Sequence, residues 1–163
     1  MTIGQDSSRQ QETRGSSSPS FLLAQVGAHA AARFGERLRE LDLSPSHAGI
    51  LRILAATPAL TQQALAGALG TQPSRLVALV DELESRELVE RQADASDRRR
   101  YALQLTEKGR SMLQAVGKIA QAHRKELLAA LSEEEQRQLS ALLLRVAEQQ
   151  GLTKGVHPGY RSS

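Results

Sequence analysis

Residues 88–109 read LVERQADASDRRRYALQLTEKG. Leu88-Val89-Glu90-Arg91 and Tyr101-Ala102-Leu103-Gln104-Leu105 alternate in twos, the period of a half-buried strand. Between them Ala93-Asp94-Ala95-Ser96-Asp97-Arg98-Arg99-Arg100 carries no apolar anchor. The pattern predicts a β-hairpin with a long charged tip. Thr106 then fits the N-cap of a following helix.

Upstream of the hairpin the period is helical. Thr61 opens a short helix, Gln62–Leu69, with Leu65 and Leu69 inward and Gly70 just past its C-terminus. Thr71 is expected to cap the next helix, with Pro73 in its first turn and Leu76, Leu79, Val80 and Leu83 at helical spacing to about Arg86. Two short helices around a tight glycine turn are a helix-turn-helix candidate, and a hairpin after such a pair is a wing. Earlier still, Ser44-Pro45 starts a helix carrying Ile50, Leu51, Ile53 and Leu54, which Thr57-Pro58 ends.

The flanks are long amphipathic helices. Leu23, Val26, Ala30, Phe34, Leu38 and Leu41 stripe residues 21–41. Met112, Val116, Ile119, His123, Leu127 and Leu131 stripe the helix after Thr106, and Leu139, Leu142, Leu143 and Val146 the last one, which Ser132-Glu133-Glu134-Glu135 opens as a capping box. Residues 21–41 and 106–150 offer more apolar surface than one small domain covers, so homodimerisation is the expected outlet. Residues 1–20, rich in Ser, Gln and Arg, read as a disordered tail, and 151–163 as a loose C-terminal end. The expected fold is mainly α with a small β-hairpin wing: a winged helix-turn-helix over 21–150, its working lobe at 61–105, between N- and C-terminal dimerisation helices.

Composition removes several functions. The 163 residues include no cysteine, which excludes thiol catalysis, disulfides, zinc fingers and cysteine redox sensing. Four His stand without an H-x-x-x-H pair, so no metal or other cofactor is expected. Serines lack a Gly-x-Ser-x-Gly setting, and no enzyme is expected. Four aromatic residues cannot build a stacking platform for single strands. No apolar run reaches the roughly 18 residues of a membrane span, and the polar start is no signal peptide, so a cytoplasmic protein without a membrane partner is expected. The pI near 9.7 overstates the charge: Lys+Arg 21 against Asp+Glu 18 leaves only +3.

The order of elements resembles the MarR family of bacterial transcription regulators. The wing carries that family's Asp-x-Arg at Asp97-Arg98-Arg99, followed by its Leu-Thr-x-x-Gly at Leu105-Thr106-Glu107-Lys108-Gly109. Leu65–Gly70 and Leu79–Glu84 are similar to its helix-turn-helix, and the resemblance covers about 21–150. One departure is Glu87, where the family has a glycine suited to a left-handed helix end, so a differently shaped turn is expected.

The resemblance implies double-stranded DNA as partner, bound by a homodimer and most simply in repression. Thr71, Gln72, Ser74 and Arg75 open the recognition helix, where Arg75 suits guanine, Gln72 adenine and the helix start a phosphate; on their own Gln72 and Ser74 are ordinary first-turn residues. Arg98, Arg99 and Arg100 are the densest positive cluster of the chain. The resemblance places Arg99 in the minor groove with Asp97 orienting it, against the plain reading of a solvated charge run. It also implies a small aromatic or phenolic effector in a cleft of the first, second and penultimate helices. His29, Arg33 and His123 are its polar candidates, each equally explained by packing or a surface ion pair. Six Arg against seven acids over 61–105 motivate the alternative of a winged-helix protein-interaction module that does not bind DNA.

Overall fold

The computed structural model describes residues 18–93, 101–157 and 160, in two compact units divided between Arg33 and Phe34. The expected tail over 1–17 and the wing tip with Asp97, Arg98, Arg99 and Arg100 lie outside the described residues. The first unit holds most of helix α1 (Pro19–Leu38). Pro19 and Ser20, expected in the tail, belong to this helix: Ser18 Oγ accepts from the Phe21 amide at 3.3 Å, and proline at the first position gives up no intrahelical bond.

The second unit begins with the last residues of α1 and a 3-10 turn (Arg39–Leu41) closed by Asp42 at φ 53. Helix α2 (Pro45–Ala56) starts where Ser44 and Pro45 predict, and His47 completes the capping box: its amide donates to Ser44 Oγ while its ring Nδ1 accepts from the Ser44 amide. Strand β1 (Leu60–Thr61) leads into α3 (Gln62–Leu69), α4 (Pro73–Ser85), β2 (Val89–Ala93), β3 (Tyr101–Leu105), α5 (Glu107–Leu127) and α6 (Glu133–Gln149). The hairpin is as expected, with Val89 opposite Leu105 and Ala93 opposite Tyr101. A third strand was not expected: β1 pairs antiparallel with β3, Leu60 opposite Leu103, giving the order β1-β3-β2. Two residues are too few to show alternation.

Leu51, Leu54, Leu65, Leu69, Leu76, Val80, Leu83, Leu88, Val89 and Leu103 are all buried in one core. Each such side chain is worth about 2 kcal/mol of transfer free energy. The core fixes α4 against β2, and α2 against α5.

Two joints differ from their sequence reading. Thr71 does not cap α4. Gly70, at φ 64, donates to Gly67 O and Thr71 N donates to Ala66 O, so Thr71 closes the end of α3. The residue preceding α4 is Gln72, which makes no side-chain cap bond. Glu87 keeps the left-handed turn despite its side chain, at φ 59, with Glu87 N on Glu84 O and Leu88 N on Leu83 O.

The segment after α6 is not loose over its described residues. Gly151 turns at φ 65, Val156 packs on the core, and Tyr160 is only 7% exposed.

Candidate nucleic-acid interface

The hairpin and α4 are tied by charge. Arg91, on β2, donates through Nη1 to Glu84 and through Nη2 to Asp81, both on α4. Alternation places Arg91 on the α4 side of its strand while Glu90 and Gln92 remain exposed. Arg86, just past α4, donates to the carbonyls of Asp42 at 2.6 Å and Leu41 at 3.0 Å. Two of the lobe's cations therefore hold the scaffold together.

The base of the wing is set by the Leu-Thr-x-x-Gly stretch. Thr106 Oγ1 accepts from the Gly109 amide at 2.9 Å, capping α5, and donates to Glu87 O at 2.6 Å. Thr106 N donates to Leu88 O at 3.2 Å. A Cβ on Gly109 would lie 1.9 Å from that same Leu88 carbonyl, so only glycine lets α5 approach the strand. This stretch locks the helix-turn-helix end, the wing strand and α5 to one another.

On α4, Gln72, Ser74 and Ala78 are exposed and Arg75 is half-buried. Ser74 and Ala78 lie opposite Leu76, Val80 and Leu83, Arg75 flanks them, and Gln72 precedes the helix. Pro73 has no N–H, so the first amides of the turn belong to Ser74 and Arg75. Thr71, half-buried, has its own amide committed to Ala66 O, so that amide is not among the donors of the helix start. Sequence reading passed over Val77, an exposed apolar residue on the same face. Its signal was its position off the buried stripe. Its methyls suit the C5-methyl of thymine. The strands β2 and β3 run outward in register from Val89–Leu105 to Ala93–Tyr101, toward tip residues outside the description.

The effector candidates divide between units. His29 and Arg33 are exposed on α1 in the first unit. In the second, His123 on α5 stands 5.7 Å from Phe34, ring centre to ring centre; Phe34 is 5.7 Å from His157, and His157 is 5.7 Å from Tyr160. Burial, and then the nearby His123 charge, hold the His157 imidazole below its ordinary pKa. Burial also lowers His47, against the pull of Glu82, whose Oε2 lies 3.0 Å from His47 Nε2. Among the described residues no group of three or more His, Asp or Glu could hold a metal ion, and no helix is long and apolar enough to cross a membrane.

Residues 41–100 match the profile of the MarR family. A candidate transcriptional regulatory protein for the hcr operon of Thauera aromatica is 36% identical over 114 residues, which cover 68% of this chain and 67% of the relative. Among solved structures, the transcriptional repressor CouR bound to a 23-mer DNA duplex is 30% identical, with a TM-score of 0.72 over 82% of this chain and 95% of CouR. A Staphylococcus aureus MepR mutant bound to an oligodeoxyribonucleotide is 28% identical, with a TM-score of 0.60 over 81% of this chain and 97% of MepR.

Proposed function

This chain belongs to the MarR family of transcriptional regulators, and on that premise we propose that it is a repressor which binds a pseudo-palindromic operator as a homodimer and is released by a small-molecule effector. Two α4 helices enter successive major grooves about 34 Å apart, and the wings reach the flanking minor grooves. Gln72, Ser74 and Arg75 meet base edges and phosphates, Arg99 enters the minor groove, Asp97 orients its guanidinium, and Arg98 and Arg100 meet phosphates. Its place is the bacterial cytoplasm, and its chemistry is binding rather than catalysis.

The observation that carries this reading is that α4, with its exposed polar face, and the outward hairpin stand on one core in a fold shared with a repressor solved on duplex DNA. Dimer formation is supported by α6, which buries none of its residues within the chain and exposes Leu142, Leu143 and Val146. Arg86 and Arg91 are engaged inside the lobe, so in this reading they serve the scaffold rather than phosphate or groove contacts. Arg99→Ala is expected to weaken operator binding by about 1–3 kcal/mol without loss of the dimer, read by gel-shift titration at matched salt. Unchanged affinity would remove the wing from the interface, and no duplex binding by either protein would favour the protein-interaction module.

A further inference from the structure

Helix α4 carries one large apolar side chain that the core does not use. Val77 is 42% exposed, while Leu76, Val80 and Leu83 of the same helix are fully buried. With roughly 100° between successive residues, Val77 lies beside Ser74 and Ala78, on the flank away from Arg75. It also heads a stripe that continues one and two turns later with Asp81 and Glu84. Arg91 of β2 engages both of those carboxylates. The acids of this flank are therefore neutralised within the lobe, and Val77 is the open end of the stripe, nearest the start of the helix.

A single exposed valine is ordinary on a protein surface. This one differs in its setting. The helix gains nothing from it, since alanine is the better helix former. A β-branched side chain on a helix keeps one rotamer, so its two methyls are fixed before any contact and lose little entropy in making one. The neighbours Ser74 and Ala78 are short, so a surface that meets this side of α4 comes close to the helix. Among the base edges of the major groove, the C5-methyl of thymine is the apolar group that such a pair of methyls fits.

We propose that Val77, with the Ala78 methyl beside it, packs on the C5-methyl of a thymine in each half-site and is a specificity-determining residue of α4. The inference rests on the operator reading and adds to it a base that the half-site must carry. In a lobe with six Arg against seven acids over 61–105, discrimination by methyl contact needs no further cation. Uracil is the probe that isolates the contact, because it pairs as thymine does and lacks only the methyl.

The test begins with a duplex selected from a random pool by the full-length protein. It is remade with deoxyuridine for thymidine at one symmetric pair of positions at a time, and each duplex is titrated by anisotropy with the natural chain, Val77→Ala and Val77→Thr. Val77 is exposed, so neither replacement opens the core. For the natural chain, the exchange at one symmetric pair should weaken binding about fourfold per half-site and about fifteenfold for both, the loss of one buried methyl each. In Val77→Ala the same exchange should cost less than about twofold, and Val77→Thr, which keeps the branch and one methyl, should fall between. A selected duplex indifferent to deoxyuridine at every position would overturn the proposal and leave the operator reading standing. If Val77→Ala weakens the thymidine and deoxyuridine duplexes alike, the valine serves the joint with the wing and the proposal falls. A pool that enriches no duplex would remove the operator reading, and this inference with it.

Discussion

Glu87 carries a left-handed backbone, φ 59, at a helix end where glycine would be unstrained. Its two amide bonds and the Thr106 hydroxyl on its carbonyl hold the turn in place. The expectation of a differently shaped turn took account of the Cβ penalty and not of these bonds, all made to residues already fixed by the core. Glu87→Gly is therefore expected to raise stability by about 1 kcal/mol in urea unfolding. Among the described residues the side chain pairs with Lys108 at 3.3 Å, exposed on both sides, which contributes little. A loss of stability would show that the turn is not strained. Val77 and Thr71 teach the complementary lesson at this scale. A residue's type suggested a cap at Thr71, but neighbouring amides had already assigned it to the end of α3.

Helices whose ends are marked by local chemistry were legible in the sequence. Ser44, Thr61, Thr106 and Ser132 each accept from the amide three residues on, as their positions imply. Elements defined by distant partners were not. The strand Leu60–Thr61 exists only through β3, and the docking of Tyr160 depends on a glycine more than a hundred residues earlier. The engagement of Arg86 and Arg91 was hidden for the same reason, since their partners stand on other elements.

Two such joints are sensitive to acid. His47 Nδ1 accepts a bond that a proton would abolish, and its ring faces Glu82 and Arg86 on α4 and the edge of that helix. His157 faces Phe34, Tyr160 and, in charge, His123. Both folded-state pKa values are lowered, chiefly by burial. The unfolded chain therefore binds these protons first, so their contribution is complete above the unfolded value near 6.5 and is lost as pH falls below it. The thermal midpoint is expected to drop between pH 7.5 and pH 5.5, and to drop less in His157→Gln. A flat profile would mean that neither ring is held neutral by the fold.

Across the whole molecule the chain divides its labour between a lobe whose core is closed and helices whose apolar faces are not. Helix α6 exposes Leu142 at 56% and Val146 at 46%, an arrangement that a second copy would cover. Leu142→Glu is expected to leave the helical content intact and shift sedimentation from dimer to monomer at micromolar concentration. A natural chain that sediments as a monomer would remove the two-fold basis of operator recognition.

The near balance of charge in the lobe, six Arg against seven acids over 61–105, makes salt dependence the most direct measurement. A fluorescently labelled duplex, selected from a random pool by the full-length protein, is titrated by anisotropy at salt concentrations from 50 to 200 mM. Recognition helices and wings on paired half-sites neutralise several phosphates, so the association constant should fall linearly on logarithmic axes, by on the order of 10³-fold across that range. Weak binding that hardly changes with salt, or failure of the pool to enrich any duplex, would contradict DNA as the partner of this fold.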